Sequence, residues 1–217
     1  MMNPDKNLDN PKILEALRLI AQNQLPEAEA ALQAGLKEAT KVRDLETKWL
    51  FYANLGWLEK KRGNYKKALS YYQLGEKILP TNPYFKLIIA QIQVEYLKAY
   101  EGAHKRLMHL LKLAPDDQPL LHQAHTWLGL IAWHKGQHDK AVERLMMSMG
   151  ENFKGLSTCA NISLKLLEQL LRGSYGLLQC VYFLHKASLF AKFNKEPDYY
   201  KVYQLLLSQL KVTRRKK

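Results

Sequence analysis

The chain has 217 residues, 47% of them hydrophobic and 24% charged, with 11 Gly, 8 Pro and two cysteines. That is one globular domain, or one domain with an appendage, and it excludes a disordered chain, a collagen-like repeat and a disulfide framework. The outlying quantity is charge: 33 Lys+Arg against 20 Asp+Glu, net +13, which points toward an acidic protein, nucleic acid or an anionic membrane surface.

In chain order, residues 1–8 read as a flexible N-terminus with no apolar run behind a basic start, so no secretory signal is expected. No stretch of about 18 apolar residues follows anywhere, and the expected location is cytoplasmic with reduced thiols. Turn signals then arrive in rhythm at Asn23-Gln24, Gly63-Asn64, Pro80 to Pro83, Pro115 to Pro119, Gly136-Gln137 and Gly173-Ser174. The segments between them have ordinary helix lengths. The Ile/Val-rich stretch Tyr84 to Tyr100 is too long for a strand and fits a helix. The chain is expected to be all-α, built from antiparallel helix pairs at 9–42, 49–82, 84–117 and 122–155. Residues 156–212 predict three further helices, from Leu156 to Arg172, then to Phe193, then from Pro197 onward. Residues 213–217 form a basic tail, including Arg214, Arg215, Lys216 and Lys217.

The pairs share a motif. Tyr52-x-x-Leu55-Gly56 leads to Gly63-x-Tyr65-x-x-Ala68-x-x-x-Tyr72 and Pro80. A second copy runs His125-x-x-Leu128-Gly129, then Gly136-x-His138-x-x-Ala141-x-x-x-Leu145. Weaker copies carry Ala28 with Leu32, and Ala103 with Leu107, the third unit placing Ala90-Gln91 in the Leu-Gly slot. Small residues are required where two helices cross closely, and proline ends the second helix. One pair cannot bury its apolar face alone, so pairs must stack.

Over residues 9–155 this pattern resembles the tetratricopeptide repeat. The resemblance implies a right-handed α-solenoid of stacked helix pairs with a C-terminal helical extension. Gly173-x-Tyr175 echoes the repeat turn, so the helices flanking it read as a degenerate fifth unit, with Leu178 in its Ala slot and the last helix as a cap.

No catalytic pattern stands out. His122/His125 and His134/His138 lack a zinc-site context, Cys159 and Cys180 read as buried helical thiols, and phosphate-loop and nucleophile-elbow glycines are missing. A non-enzyme without metal, cofactor or small-molecule substrate is expected. The resemblance instead implies an interaction scaffold or adaptor whose first helices line a concave groove for a protein or peptide. By register the second unit offers Ala53, Asn54, Trp57 and Lys61. The third offers Phe85, Ile88, Ile92 and Tyr96, and the fourth Gln123, Trp127, Leu130 and His134. Such an apolar, aromatic lining suits an amphipathic helix better than a terminal carboxylate. The competing occupant is one of the protein's own C-terminal helices.

Charge is unevenly placed. Residues 156–217 hold 11 Lys+Arg against three Asp+Glu, a net +8, whereas residues 1–48 are at −1. Lys60 to Lys67 forms a smaller basic cluster that reads as a solvated face. The alternative function is association with nucleic acid, which no recognition motif favours, or peripheral contact with an anionic membrane, in either case through the C-terminal region.

Overall fold

The computed structural model describes residues 10–214, with side chains to residue 210. It contains eleven α-helices and, among the described residues, no strand. The helices fall into two compact units divided between Lys98 and Ala99.

The first unit holds α1 (Pro11–Ala21), α2 (Leu25–Lys41), α3 (Leu45–Lys61), α4 (Tyr65–Ile78) and α5 (Pro83–Glu95), each packed on the next. Their starts follow from capping. Asn10 accepts from the backbone N–H groups of Lys12 and Ile13, Asp44 from Thr47, and Asn82 from Tyr84. Their ends are left-handed residues, Asn23, Arg43 and Gly63, after which the N–H groups of Gln24, Asp44 and Asn64 return to the carbonyls of Leu19, Ala39 and Glu59.

Two glycines set the stacking. A Cβ on Gly35 of α2 would lie 2.3 Å from the Phe51 ring, and one on Gly75 of α4 would lie 2.5 Å from Phe85. Phe51 and Phe85 are therefore equivalent, 34 residues apart, and Leu55, Gly56 and Leu58 correspond to Ile89, Ala90 and Ile92. The third unit's small residue is thus Ala90 in the Gly position, not Ala90-Gln91 as a pair. The turn after α5 carries one more residue than the turn after α3, with Lys98 rather than Leu97 left-handed, and that residue displaced the sequence-based register by one.

The second unit holds α6 (Tyr100–Leu113), α7 (Gln118–His134), α8 (His138–Ser148), α9 (Lys165–Arg172), α10 (Leu177–Phe193) and α11 (Pro197–Arg214). The helix expected from Leu156 begins only at Lys165. Residues 149–164 are irregular apart from a 3₁₀ turn at Cys159–Asn161, where Thr158 accepts from the N–H of Ala160 and Glu196 accepts from the N–H of Cys159. Phe153 anchors this segment among His122, Phe183 and Phe190. His122 ties it down: its Nδ1 donates to Ser148 O and its Nε2 accepts from Ser163 N, both at 2.8 Å. Burial holds that imidazole below its usual pKa, in the neutral form both bonds need.

Buried Cys180, Leu184, Ala187 and Ala191 on α10 repeat the spacing of Ala28, Leu32, Gly35 and Ala39 on α2. Buried Tyr203 and Leu207 then stand where Phe51 and Leu55 stand after α2. So α10 has the register of a second helix, and α11 follows it as α3 follows α2. The small anchor of α10 is Cys180; Leu178 is exposed, because the turn Gly173 to Gly176 is longer than Gly63-Asn64.

Candidate partner-binding surface

In the first unit the first helices α3 and α5 leave an open apolar cleft of about 270 Å³. Trp49 and Ala53 line one wall, Tyr84 and Ile88 the other, over a floor of Tyr72 and Phe85. Trp49 packs edge-on against Phe85, with ring centroids 6.1 Å apart. Tyr84 is 62% exposed, held at the helix start by the Asn82 cap. Polar character comes from Gln91 at the rim and from Asn82.

The residues expected from register divide into three groups. Ile88 and Ala53 line the cleft, but Trp49 and Tyr84, one helical turn earlier on the same stripes, were not anticipated. Asn54, Trp57, Lys61 and Tyr96 lie at or near the surface. Asn54 turns back on its own helix, donating to Leu50 O at 2.8 Å. Trp57 is 39% exposed, with Lys61 Nζ 6.0 Å from its ring, and that Nζ also donates to Ile20 O at the end of α1. Tyr96 stacks on Tyr65 with centroids 3.5 Å apart.

Ile92 is corrected to a core position. Phe85 and Ile92 are both buried, occupying the slots of Phe51 and Leu58, and Phe85 also forms part of the cleft floor. In the second unit Trp127 and Leu130 are also corrected: they are 4% and 6% exposed. The cause at Trp127 is α9, which packs across α7 with Leu166 against Gly129 and Lys165 Nζ 5.1 Å from the Trp127 ring. The protein's own helix thus covers this part of α7. His134 remains exposed and stacks on Tyr100 at 5.3 Å. Arg215, Lys216 and Lys217 lie outside the described residues, as does the side chain of Arg214, whose backbone ends α11.

The Lys60–Lys67 cluster is not simply a solvated face. Glu59 on α3 is fully buried and accepts from Lys67 Nζ at 2.8 Å, Arg62 Nη1 at 2.9 Å and Asn64 Nδ2 at 2.8 Å. Arg62 and Lys67 also pair with Glu29 on α2, and Arg62 donates to Leu25 O. Burial alone would raise the Glu59 carboxyl; hydrogen bonds from Lys67 and Asn64, with the charge of Lys67, overcome it and hold the group below its usual pKa. The hydrogen bond from Arg62 does the same for Glu29. Two of the cluster's cations are thereby committed to fastening one helix pair to the next.

Burial pushes both thiols, Cys159 and Cys180, up to about 11, so neither is a thiolate at neutral pH. Among the described residues no group of three or more His, Cys, Asp or Glu side chains is placed to hold a metal ion. No helix among them is long and apolar enough to cross a membrane.

Stacked helix pairs with small residues at each crossing and a cleft on the first-helix face define a helical-repeat protein. Residues 13–83, about a third of the chain, match the tetratricopeptide repeat family. No curated protein matches it by sequence. Solved structures share its fold at low identity. PilF of Pseudomonas aeruginosa is 16% identical, with a TM-score of 0.60 over 92% of this chain and 90% of that one. BtubC (BKLC) of P. vanneervenii is 16% identical, with a TM-score of 0.58 over 92% and 78%. MamA of Desulfovibrio magneticus RS-1 is 14% identical, with a TM-score of 0.55 over 98% of each.

Proposed function

We propose that the protein is a non-catalytic interaction scaffold that takes an apolar segment of a protein partner, an amphipathic helix or peptide, in the cleft between α3 and α5. The observation that supports this most is the cleft itself. Trp49, Tyr84 and Ile88 present aromatic and aliphatic surface on rigid helices, where ordering costs little on binding. Gln91 and Asn82 at its edge give polar groups that fix a peptide's register. Trp57 and Lys61, further along α3, extend the same helix face.

Paired variants test this. Tyr84→Ala with Ile88→Glu removes one wall while leaving the α5 core residues Phe85, Ile89 and Ile92 in place. Partner capture should fall at least about tenfold, the loss of about 1.4 kcal/mol or more that anchor residues carry, with the melting temperature nearly unchanged. Trp127→Ala should act differently, costing about 3 kcal/mol or more of stability because that ring is interior. Capture that survives the α5 pair contradicts the cleft assignment.

A further inference from the structure

The outward face of α10 departs from the pattern that the other second helices follow. Counting from each helix's N-cap, the sixth position is Ala30, Ser70, Lys105 and Glu143 in α2, α4, α6 and α8, but Tyr182 in α10. The thirteenth is Lys37, Lys77 and Lys112 in α2, α4 and α6, but Leu189 in α10. The fold therefore does not require apolar side chains at these places; elsewhere the same positions are small, polar or charged, and exposed. On α10 they complete a stripe of Leu178, Tyr182, Leu189 and Phe193, which are 63%, 44%, 47% and 85% exposed, interrupted once by the exposed His185. At about 100° per residue this stripe lies opposite the buried row Cys180, Leu184, Ala187 and Ala191, so it is a ridge rather than a groove.

The flanks of that ridge are cationic. No carboxylate occurs between Glu168 and Glu196, while Arg172, Lys186, Lys192 and Lys195 all fall in that span. Lys186 Nζ sits 5.1 Å from the Tyr182 ring, its stem lying along the apolar stripe and its charge beside it. An apolar stripe bordered by lysines is the arrangement of helices that lie in a lipid–water interface: the apolar side chains enter the acyl boundary and the ammonium groups meet anionic headgroups. A second copy of the chain is disfavoured, since two such faces would oppose lysine to lysine. A ridge suits a soft interface better than it suits an incoming helix, which needs a groove.

We infer that α10 is a peripheral docking surface for an anionic lipid bilayer, lying in the interface without crossing it. This site is separate from the α3–α5 cleft and does not depend on it; variants at α10 leave the cleft residues intact, so the two readings fail independently.

The test uses the full chain and vesicles of phosphatidylcholine with or without about 30% phosphatidylserine, at low and raised salt. An environment-sensitive fluorophore is placed through cysteine at Leu189 or, as the register-matched control, at Lys77; Cys159 and Cys180 are buried. The expected result is sedimentation with the phosphatidylserine vesicles only, weakened by salt. It comes with a blue shift for the label at 189 and none at 77. Leu189→Glu with Phe193→Glu, both at exposed positions, should raise the lipid concentration needed for half-binding by about tenfold or more. No sedimentation at low salt overturns the inference. So does sedimentation that the double variant leaves unchanged, since charge elsewhere would then carry it. Capture of an acidic amphipathic peptide through Leu189 and Phe193, with vesicles ignored, would assign the surface to a protein instead.

Discussion

Glu59 shows how one side chain fixes the contact between neighbouring pairs. A carboxylate with no exposure is costly unless fully bonded, and here Lys67, Arg62 and Asn64 supply the donors. Glu59→Ala should cost about 2 kcal/mol. That is below the about 3–5 kcal/mol of a buried pair losing one member, because Arg62 and Lys67 keep Glu29 and some access to water. Both carboxyls titrate below their ordinary 4.5 in the folded chain. Their contribution is therefore present above pH 4.5 and is lost as pH falls through the lowered folded values. Thermal melting between pH 7 and 3 should show that loss, and Glu59→Gln should shrink the fall over the acid end. An unchanged acid slope in the variant contradicts this role for Glu59. None of it was legible in the sequence. Arg62 and Lys67 counted only as members of a basic cluster, because their pairing with Glu29 across 33 and 38 residues leaves no local trace, and the short spacing of Glu59 from them does not disclose its burial.

Between elements, glycine decides the spacing. Gly35→Ala sets two effects against each other. Alanine favours a helix interior by about 1 kcal/mol over glycine, but its Cβ would sit 2.3 Å from the buried ring of Phe51, which would have to shift. Overpacking of this kind costs about 1–3 kcal/mol, so the variant should melt lower than the parent; a rise would show that α2 and α3 can slide apart freely. The same glycines explain what the sequence did and did not disclose. Leu55-Gly56 and Leu128-Gly129 located the strong repeats directly. In α5 the equivalent pair is Ile89-Ala90, and one additional turn residue near Leu97 moved the expected groove onto Ile92, which is core. The turn at Gly173-x-Tyr175 was legible, but the small residue after it is Cys180 rather than alanine, and the helix before it is cut to Lys165–Arg172 by the irregular stretch that precedes it.

At the scale of the whole molecule, the two units use the repeat register differently. In residues 10–98 the first-helix face stays open as the Trp49–Tyr84 cleft. In residues 99–214 the comparable face of α7 is covered at Trp127 by α9, and exposed apolar surface appears instead on the outer side of α10. Periodicity and the repeat motif made the all-α architecture and its helices readable from sequence. Which stripe stays uncovered depends on where α9 packs, and no periodicity encodes that. Of the net +13, +8 falls after residue 155, the run from Arg172 to Lys195 within it, whereas Arg62 and Lys67 are balanced by Glu29 and Glu59. Site-specific photo-crosslinking reads directly whether a partner sits in the cleft. With p-benzoylphenylalanine in place of Tyr84, an aromatic for an aromatic at an exposed position, a discrete partner adduct should form. It should vanish when Ile88→Glu is added, and no adduct should form from the same probe at Leu74 on α4. No adduct from position 84, or one that persists with Ile88→Glu, would show that the partner does not sit in the cleft.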